Sequence, residues 1–383
     1  MITRRKARTM AHWNALGSAL LSLGLVGCGS DDPSAAGAPA GGSGGAVNGA
    51  GGSVAGDGGA LTGSGGASPG SGGSVSNGGS TGTGGDGSGG SAATDCDPSQ
   101  TLSPGDHEFT IQSANGLTYE YVLVMPDTVV AGKKAPLAVV WHALWSSPEE
   151  TRGLTHIDET MASHATISVH PRSPDQSWDV GTCCTNVVLG VHRDETVFAK
   201  ELLADVKSKV CVDEKRIYTA GFSNGGMISQ MLACKMSDVF AAAAPMGSTL
   251  TIPKSECTPS RPVPIFAING TADPLVGYSA VGLSGGITIA DDFQTWADAD
   301  QCTGTPEVTV QQGQATCRTY KNCGGGAEVT FCGIEGMGHC MPGMQKESAT
   351  NCFTKNLIPL GPPNDDIDGI ALSAEFLERF SLP

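Results

Sequence analysis

One segment, Ile217-Tyr218-Thr219-Ala220-Gly221-Phe222-Ser223-Asn224-Gly225-Gly226-Met227, narrows the choice of fold more than any other part of the chain. An apolar run ends at a serine with glycine two residues away on each side, the pattern of a sharp strand-to-helix turn. Gly221 and Gly225 remove the Cβ atoms that such a turn cannot hold. The hydroxyl of Ser223 then projects from the apex as a candidate nucleophile. Residues 227–236 continue as a helix whose N-terminus stabilises developing negative charge. A chain with 55 glycines produces Gly-x-Ser-x-Gly by chance, so the assignment rests on what surrounds it.

The surroundings read as alternating strands and helices. Residues 119–125 alternate and stop at Pro126, which predicts an edge strand, whereas 136–141 are continuously apolar and predict a central strand buried on both faces. Residues 165–169 form a further strand. Val197, Phe198, Leu202, Leu203 and Val206 recur at helical spacing, so 194–209 is an amphipathic helix. Strands at 240–245, 264–268 and 328–332 and helices at 290–299 and 367–380 complete the pattern. This is an α/β chain with a mostly parallel, doubly wound sheet.

A serine of this kind needs a base, and the base needs a carboxylate; in the α/β-hydrolase order they follow as Ser, Asp, His. Asp273 stands in Asn269-Gly270-Thr271-Ala272-Asp273-Pro274, just past an apolar strand. His339 stands in Gly336-Met337-Gly338-His339-Cys340-Met341-Pro342-Gly343, again past a strand, and no other histidine follows Ser223. Two backbone amides are expected to hold an oxyanion. One is that of Asn224, and the other is that of Leu144 in Trp141-His142-Ala143-Leu144-Trp145.

The N-terminus carries Arg4, Arg5, Lys6 and Arg8 ahead of an apolar run from 15 to 27, too short to span a membrane, which predicts an export signal over 1–28. Leu25-Val26-Gly27-Cys28 resembles a bacterial lipobox, with Cys28 as the lipidation site. Residues 29–94 are almost entirely small and polar, which predicts a flexible tether spanning about 45 Å. Residues 95–383 then form one catalytic domain. The net charge of −16 argues against nucleic acid as a partner, and a membrane is expected to be met only through Cys28.

Thirteen cysteines less Cys28 leave an even twelve, the mark of a disulfide-stapled exported domain. No paired Cys-x-x-Cys or clustered histidines suggest zinc. Cys317 and Cys332 are expected to pair across a hairpin near 324–326, with Cys302–Cys323 and Cys340–Cys352 as further pairs. The adjacent Cys183 and Cys184 are expected to reach two distant partners.

Four blocks in order resemble a known family: Ser177-Trp178-Asp179-Val180-Gly181-Thr182-Cys183-Cys184, Gly221-Phe222-Ser223-Asn224-Gly225-Gly226-Met227, Gly270-Thr271-Ala272-Asp273, and Gly338-His339 with Pro342-Gly343. They resemble the secreted esterases grouped with feruloyl esterases and polyhydroxybutyrate depolymerase-like proteins. The resemblance implies an α/β-hydrolase fold with Ser223 as nucleophile, Asp273 as acid and His339 as base, and with no metal or cofactor. Two departures stand out: Met341 where relatives often carry tryptophan, and Ala143 where they carry glycine. Trp178, Trp145 and Met341 are assigned to the substrate cleft.

The expected activity is that of an exported, monomeric serine carboxylester hydrolase acting through an acyl-enzyme on feruloyl or acetyl esters of plant polysaccharide. The protein is placed at the outer membrane or cell surface, or is secreted. The alternatives are a polyhydroxybutyrate-type polyester depolymerase and a non-catalytic surface protein for carbohydrate binding or adhesion.

Overall fold

The structure is a computed structural model that describes residues 96–97, 100, 102–184, 192–343, 352 and 360–383. The predicted export segment, Cys28 and the tether lie outside the described residues. The strands are β1 Gly105–Gln112, β2 Thr118–Met125, β3 Ala135–Trp141, β4 Ile167–Arg172, β5 Val212–Phe222, β6 Ala242–Met246, β7 Ile265–Gly270, β8 Glu307–Gln312, β9 Ala315–Tyr320 and β10 Val329–Ile334. The helices are α1 Pro148–Leu154, α2 Ile157–Ser163, α3 Glu195–Lys209, α4 Asn224–Lys235, α5 Ile289–Ala299 and α6 Gly369–Glu378.

Among the described residues all ten strands join one sheet in the order β1-β2-β4-β3-β5-β6-β7-β10-β9-β8. The middle of it, from β4 to β10, is parallel, and antiparallel strands finish both edges. β3 is buried along its whole length. Its residues alternate between two cores. Leu137, Val139 and Trp141 point to one face with Phe198 and Leu202 of α3, Ile228 and Leu232 of α4 and Trp296 of α5. Ala138 and Val140 point to the other with Ile157 of α2 and Ile370 and Phe376 of α6. Helices therefore cover both faces, as a largely parallel sheet requires.

Two sequence expectations are corrected. β2 is not an edge strand, because β1 pairs with it over its full length, from Gly105 opposite Met125 to Gln112 opposite Thr118. β1 is mostly exposed or half-buried and turns only two apolar residues, Phe109 and Ile111, toward the core, an alternation too short to announce a strand. Cys183 and Cys184 also do not reach distant partners; they bond to each other. Among the described residues the other ten cysteines pair as Cys96–Cys211, Cys234–Cys257, Cys302–Cys323, Cys317–Cys332 and Cys340–Cys352, which leaves these two one another. Cys184 adopts the left-handed backbone region with φ 74°, which accommodates the bond between neighbours. Cys317 and Cys332 are direct register partners of β9 and β10.

A buried polar group stands behind α4. Gln230 donates to Asp292 at 2.9 Å and accepts from the Trp296 indole at 2.9 Å. Burial pushes the Asp292 carboxyl up to about 7. A carboxyl whose folded pKa lies above its unfolded value near 4 binds its proton more tightly in the fold, so its contribution to stability is whole in acid and is lost as pH rises toward 7. Asp292→Asn removes that titration and keeps an acceptor for Gln230. The difference in melting temperature between the variant and the wild type should therefore move in the variant's favour from pH 4 to pH 8, as read by circular dichroism melts at each pH.

Candidate active site

Parallel pairing places the C-terminal ends of β3, β5, β6, β7 and β10 on one edge of the sheet, and the chemistry-bearing side chains gather there. β5 ends at Phe222, and α4 begins at Asn224. Ser223 between them has φ 56° and ψ −121°, a positive φ that a non-glycine residue holds only where its neighbours enforce it. Enforcement comes from two bonds: the Ser223 amide donates to the Met246 carbonyl at 2.9 Å, and the Ser223 carbonyl accepts from the Met227 amide at 2.9 Å. The glycines are required by space rather than by flexibility. A Cβ at Gly221 would collide with the carbonyl of Gly225, and one at Gly225 with the carbonyl of Trp141.

Three of the residues singled out in the sequence meet at this edge. His339 Nε2 lies 2.8 Å from Ser223 Oγ, and His339 Nδ1 lies 2.7 Å from Asp273 Oδ2. The other carboxylate oxygen, Oδ1, accepts from the Leu275 and Val276 amides at 2.8 and 2.9 Å. A carboxylate can only accept. In the neutral ring Nδ1 therefore carries the proton, and Nε2 is free to accept from the serine hydroxyl. Asp273 and His339 are buried, whereas Ser223 is partly exposed and can be reached by a substrate. The segment carrying the base is well anchored. The His339 amide donates to Leu360 at 2.6 Å and that of Gly338 to Pro362 at 2.9 Å, and Cys340 is bonded to Cys352.

Leu144 lies in the loop that follows β3, beside the start of α4: a Cβ on Gly225 would meet the carbonyls of both Trp141 and His142. The amides of Leu144 and Asn224 thus belong to two segments in direct backbone contact. His142 is a buried neutral ring in this loop. Burial pushes it down to about 4, its Nε2 accepts from the Ser173 amide at 3.1 Å and its Nδ1 donates to the Ala143 carbonyl at 2.8 Å.

The assignments to the substrate cleft divide. Trp145 is 52% exposed. Trp178, by contrast, is 0% exposed; its ring packs edge-on to Trp141 at 4.9 Å and parallel to Phe198 at 6.1 Å. It is a core residue, because its indole N–H finds the buried carbonyl of His142 at 3.0 Å and leaves nothing to face solvent. Met341 is also corrected: at 4% exposure it packs into the core shared with α6. Sequence reasoning overlooked a buried ion cluster next to Trp178. There Arg193 donates to Asp175 at 2.7 Å and to Glu195 at 3.1 Å. Its only sequence signal is a single arginine among Asp175, Asp179, Asp194 and Glu195. Among the described residues no group of three or more His, Cys, Asp or Glu side chains is placed to hold a metal ion.

The parallel sheet, the turn at Ser223 and the Ser-His-Asp array on its C-terminal edge define the class: this is an α/β-hydrolase fold. No protein-family model matches the chain. In sequence it resembles the feruloyl esterases. It is 33% identical over 235 residues to feruloyl esterase B of Piromyces equi, covering 57% of this chain and 42% of that one. It is 27% identical over 209 residues to a bifunctional acetylxylan esterase/xylanase of Neocallimastix patriciarum, covering 54% and 29%. A probable feruloyl esterase C of Aspergillus oryzae is 24% identical over 216 residues, with 53% and 68% covered. The chain spans less than half the length of the first two relatives.

Proposed function

We propose that the protein is an exported, monomeric serine carboxylester hydrolase that cleaves feruloyl or acetyl esters of plant polysaccharide through an acyl-enzyme. The observation that carries the proposal is the single imidazole bridging Ser223 Oγ at 2.8 Å and Asp273 Oδ2 at 2.7 Å. In this reading His339 Nε2 takes the serine proton as Oγ attacks the ester carbonyl, and Asp273 stabilises the imidazolium that forms. The amides of Asn224 and Leu144 hold the tetrahedral oxyanion. His339 then returns the proton to the departing alcohol. Water, deprotonated by the same ring, releases the acid and restores Ser223.

The substrate class draws on relatives called feruloyl esterase and acetylxylan esterase. Export draws on the six disulfides, which persist in oxidising surroundings, and on the N-terminal signal with Cys28 as the lipid anchor. Polyester cleavage is the second reading. It is favoured by exposed apolar side chains on loops that leave this sheet edge: Trp145 after β3, and Val281 and Leu283 between β7 and α5. Turnover of methyl ferulate, acetylated xylan and polyhydroxybutyrate decides between them. The proposal expects kcat/KM on ferulate or acetylxylan to exceed any release from the polyester; release from the polyester alone would overturn the substrate assignment.

A further inference from the structure

The segment from Ser173 to Trp178 takes no part in the proton relay, yet it touches both places that supply an oxyanion donor. Three bonds tie it to the loop after β3. The Ser173 amide donates to His142 Nε2 at 3.1 Å, the Trp145 amide donates to the Gln176 carbonyl at 2.8 Å, and the Trp178 indole donates to the His142 carbonyl at 3.0 Å. Two more tie it to the first residue of α4. Asn224 Oδ1 accepts from the Trp178 amide at 2.7 Å, and Asn224 Nδ2 donates to the Trp178 carbonyl at 3.0 Å. One side chain thus pairs with both polar groups of one peptide residue, as a neighbouring strand would. Trp178, Asn224, His142 and Ser173 are all buried, so water does not compete for these bonds.

The segment is held in turn from behind. Arg193, with a buried side chain, donates to Asp175 at 2.7 Å and to the Ser177 carbonyl at 2.7 Å. The Ser173 hydroxyl lies 2.6 Å from both Asp175 Oδ1 and the Ser177 carbonyl. A chain bend fixed at this many points is rigid relative to both of its contacts.

We infer that residues 173–178, centred on Trp178, act as a brace that sets the separation and orientation of the Asn224 and Leu144 amides. The inference rests on the catalytic reading of Ser223 proposed above. Donors in such a site must lie about 2.7–3.1 Å from the position the oxyanion will occupy, and a small drift of either segment forfeits the bond. Trp178 is a positioning residue: it touches no substrate, and it acts through the two backbone donors that it holds apart.

Two substitutions in the full chain test the brace. Trp178→Phe keeps a ring in the core and removes the indole N–H. Asn224→Leu is close to isosteric and uncharged, leaves the Asn224 backbone amide in place and removes both side-chain bonds to Trp178. Both are assayed on p-nitrophenyl acetate, well below their measured melting temperatures and across the pH range of wild-type activity. The expected result is a fall in kcat of about 10-fold or more, with KM within about 2-fold and the midpoint of the pH profile unmoved. A role in the core alone would lower the melting temperature and leave kcat in place. If Trp178→Phe does not fold, Asn224→Leu decides the matter. Unchanged kcat in a folded variant, or a loss that appears in KM or as a shifted pH midpoint, overturns the brace. Ser223→Ala run alongside separates the two claims. Hydrolysis that survives in Ser223→Ala overturns the reading of the site itself, whereas an inactive Ser223→Ala beside a fully active Trp178→Phe overturns the brace alone.

Discussion

Asp273→Asn is expected to lower kcat about 10⁴-fold with KM and melting temperature close to wild type. The size follows from which oxygen is already committed. Oδ1 accepts from the Leu275 and Val276 amides, and an asparagine must keep its carbonyl oxygen there, because its amide nitrogen cannot accept from them. The nitrogen is then forced to face His339 Nδ1. Two donors cannot share that position, so the ring proton moves to Nε2, where it blocks acceptance from the Ser223 hydroxyl. The fold is barely disturbed and the base is in the wrong tautomer. Steady-state kinetics on a soluble ester check this, and a variant retaining kcat within about 10-fold of wild type would contradict it.

Gly225→Ala has the second largest expected effect, and it acts through backbone. The added Cβ would strike the carbonyls of Trp141 and His142, and neither is the yielding end of a side chain. β3 and the start of α4 must separate to admit it. Overpacking of this kind costs about 3 kcal/mol, and a displacement on the order of 1 Å between the elbow and the loop after β3 costs about 100-fold in rate. Gly153→Ala in α1 is the control: a Cβ there meets nothing within 4 Å, so it should leave activity unchanged and stability equal or slightly higher. Denaturant unfolding of the two variants, with kcat measured on each, reads both quantities.

The parts of this fold legible in the sequence are those whose burial is total. β3, β6 and β7 are covered on both faces and show as apolar runs, broken in β7 only at Asn269 near its end. β8 is the opposite case: nearly every residue of Glu307–Gln312 is exposed, and its only local signal is the β-branched run Val308-Thr309-Val310, too short to declare a strand without the partners that β9 offers. α1 and α2 have seven residues each, too short for a helical period to declare itself. At the site, Ser223, Asp273 and His339 were readable because a parallel sheet puts every strand's C-terminal end on one edge, so chain order implies nearness. Direction was not readable. The sequence shows that residue 178 is a tryptophan but not that it turns inward, and the bonds between Asn224 and Trp178 span 46 residues, beyond any spacing rule. Cysteine parity is equally satisfied whether Cys183 and Cys184 bond each other or two distant partners, so only the fold distinguishes the two.

The central claim is that Ser223 is an activated nucleophile, and fluorophosphonate labelling of the full chain followed by peptide mapping tests it most directly. The expected result is one adduct, on the peptide containing Ser223, that is lost in His339→Ala and absent from Ser223→Ala. An adduct on another residue, or a folded protein that hydrolyses esters undiminished after Ser223→Ala, would contradict it.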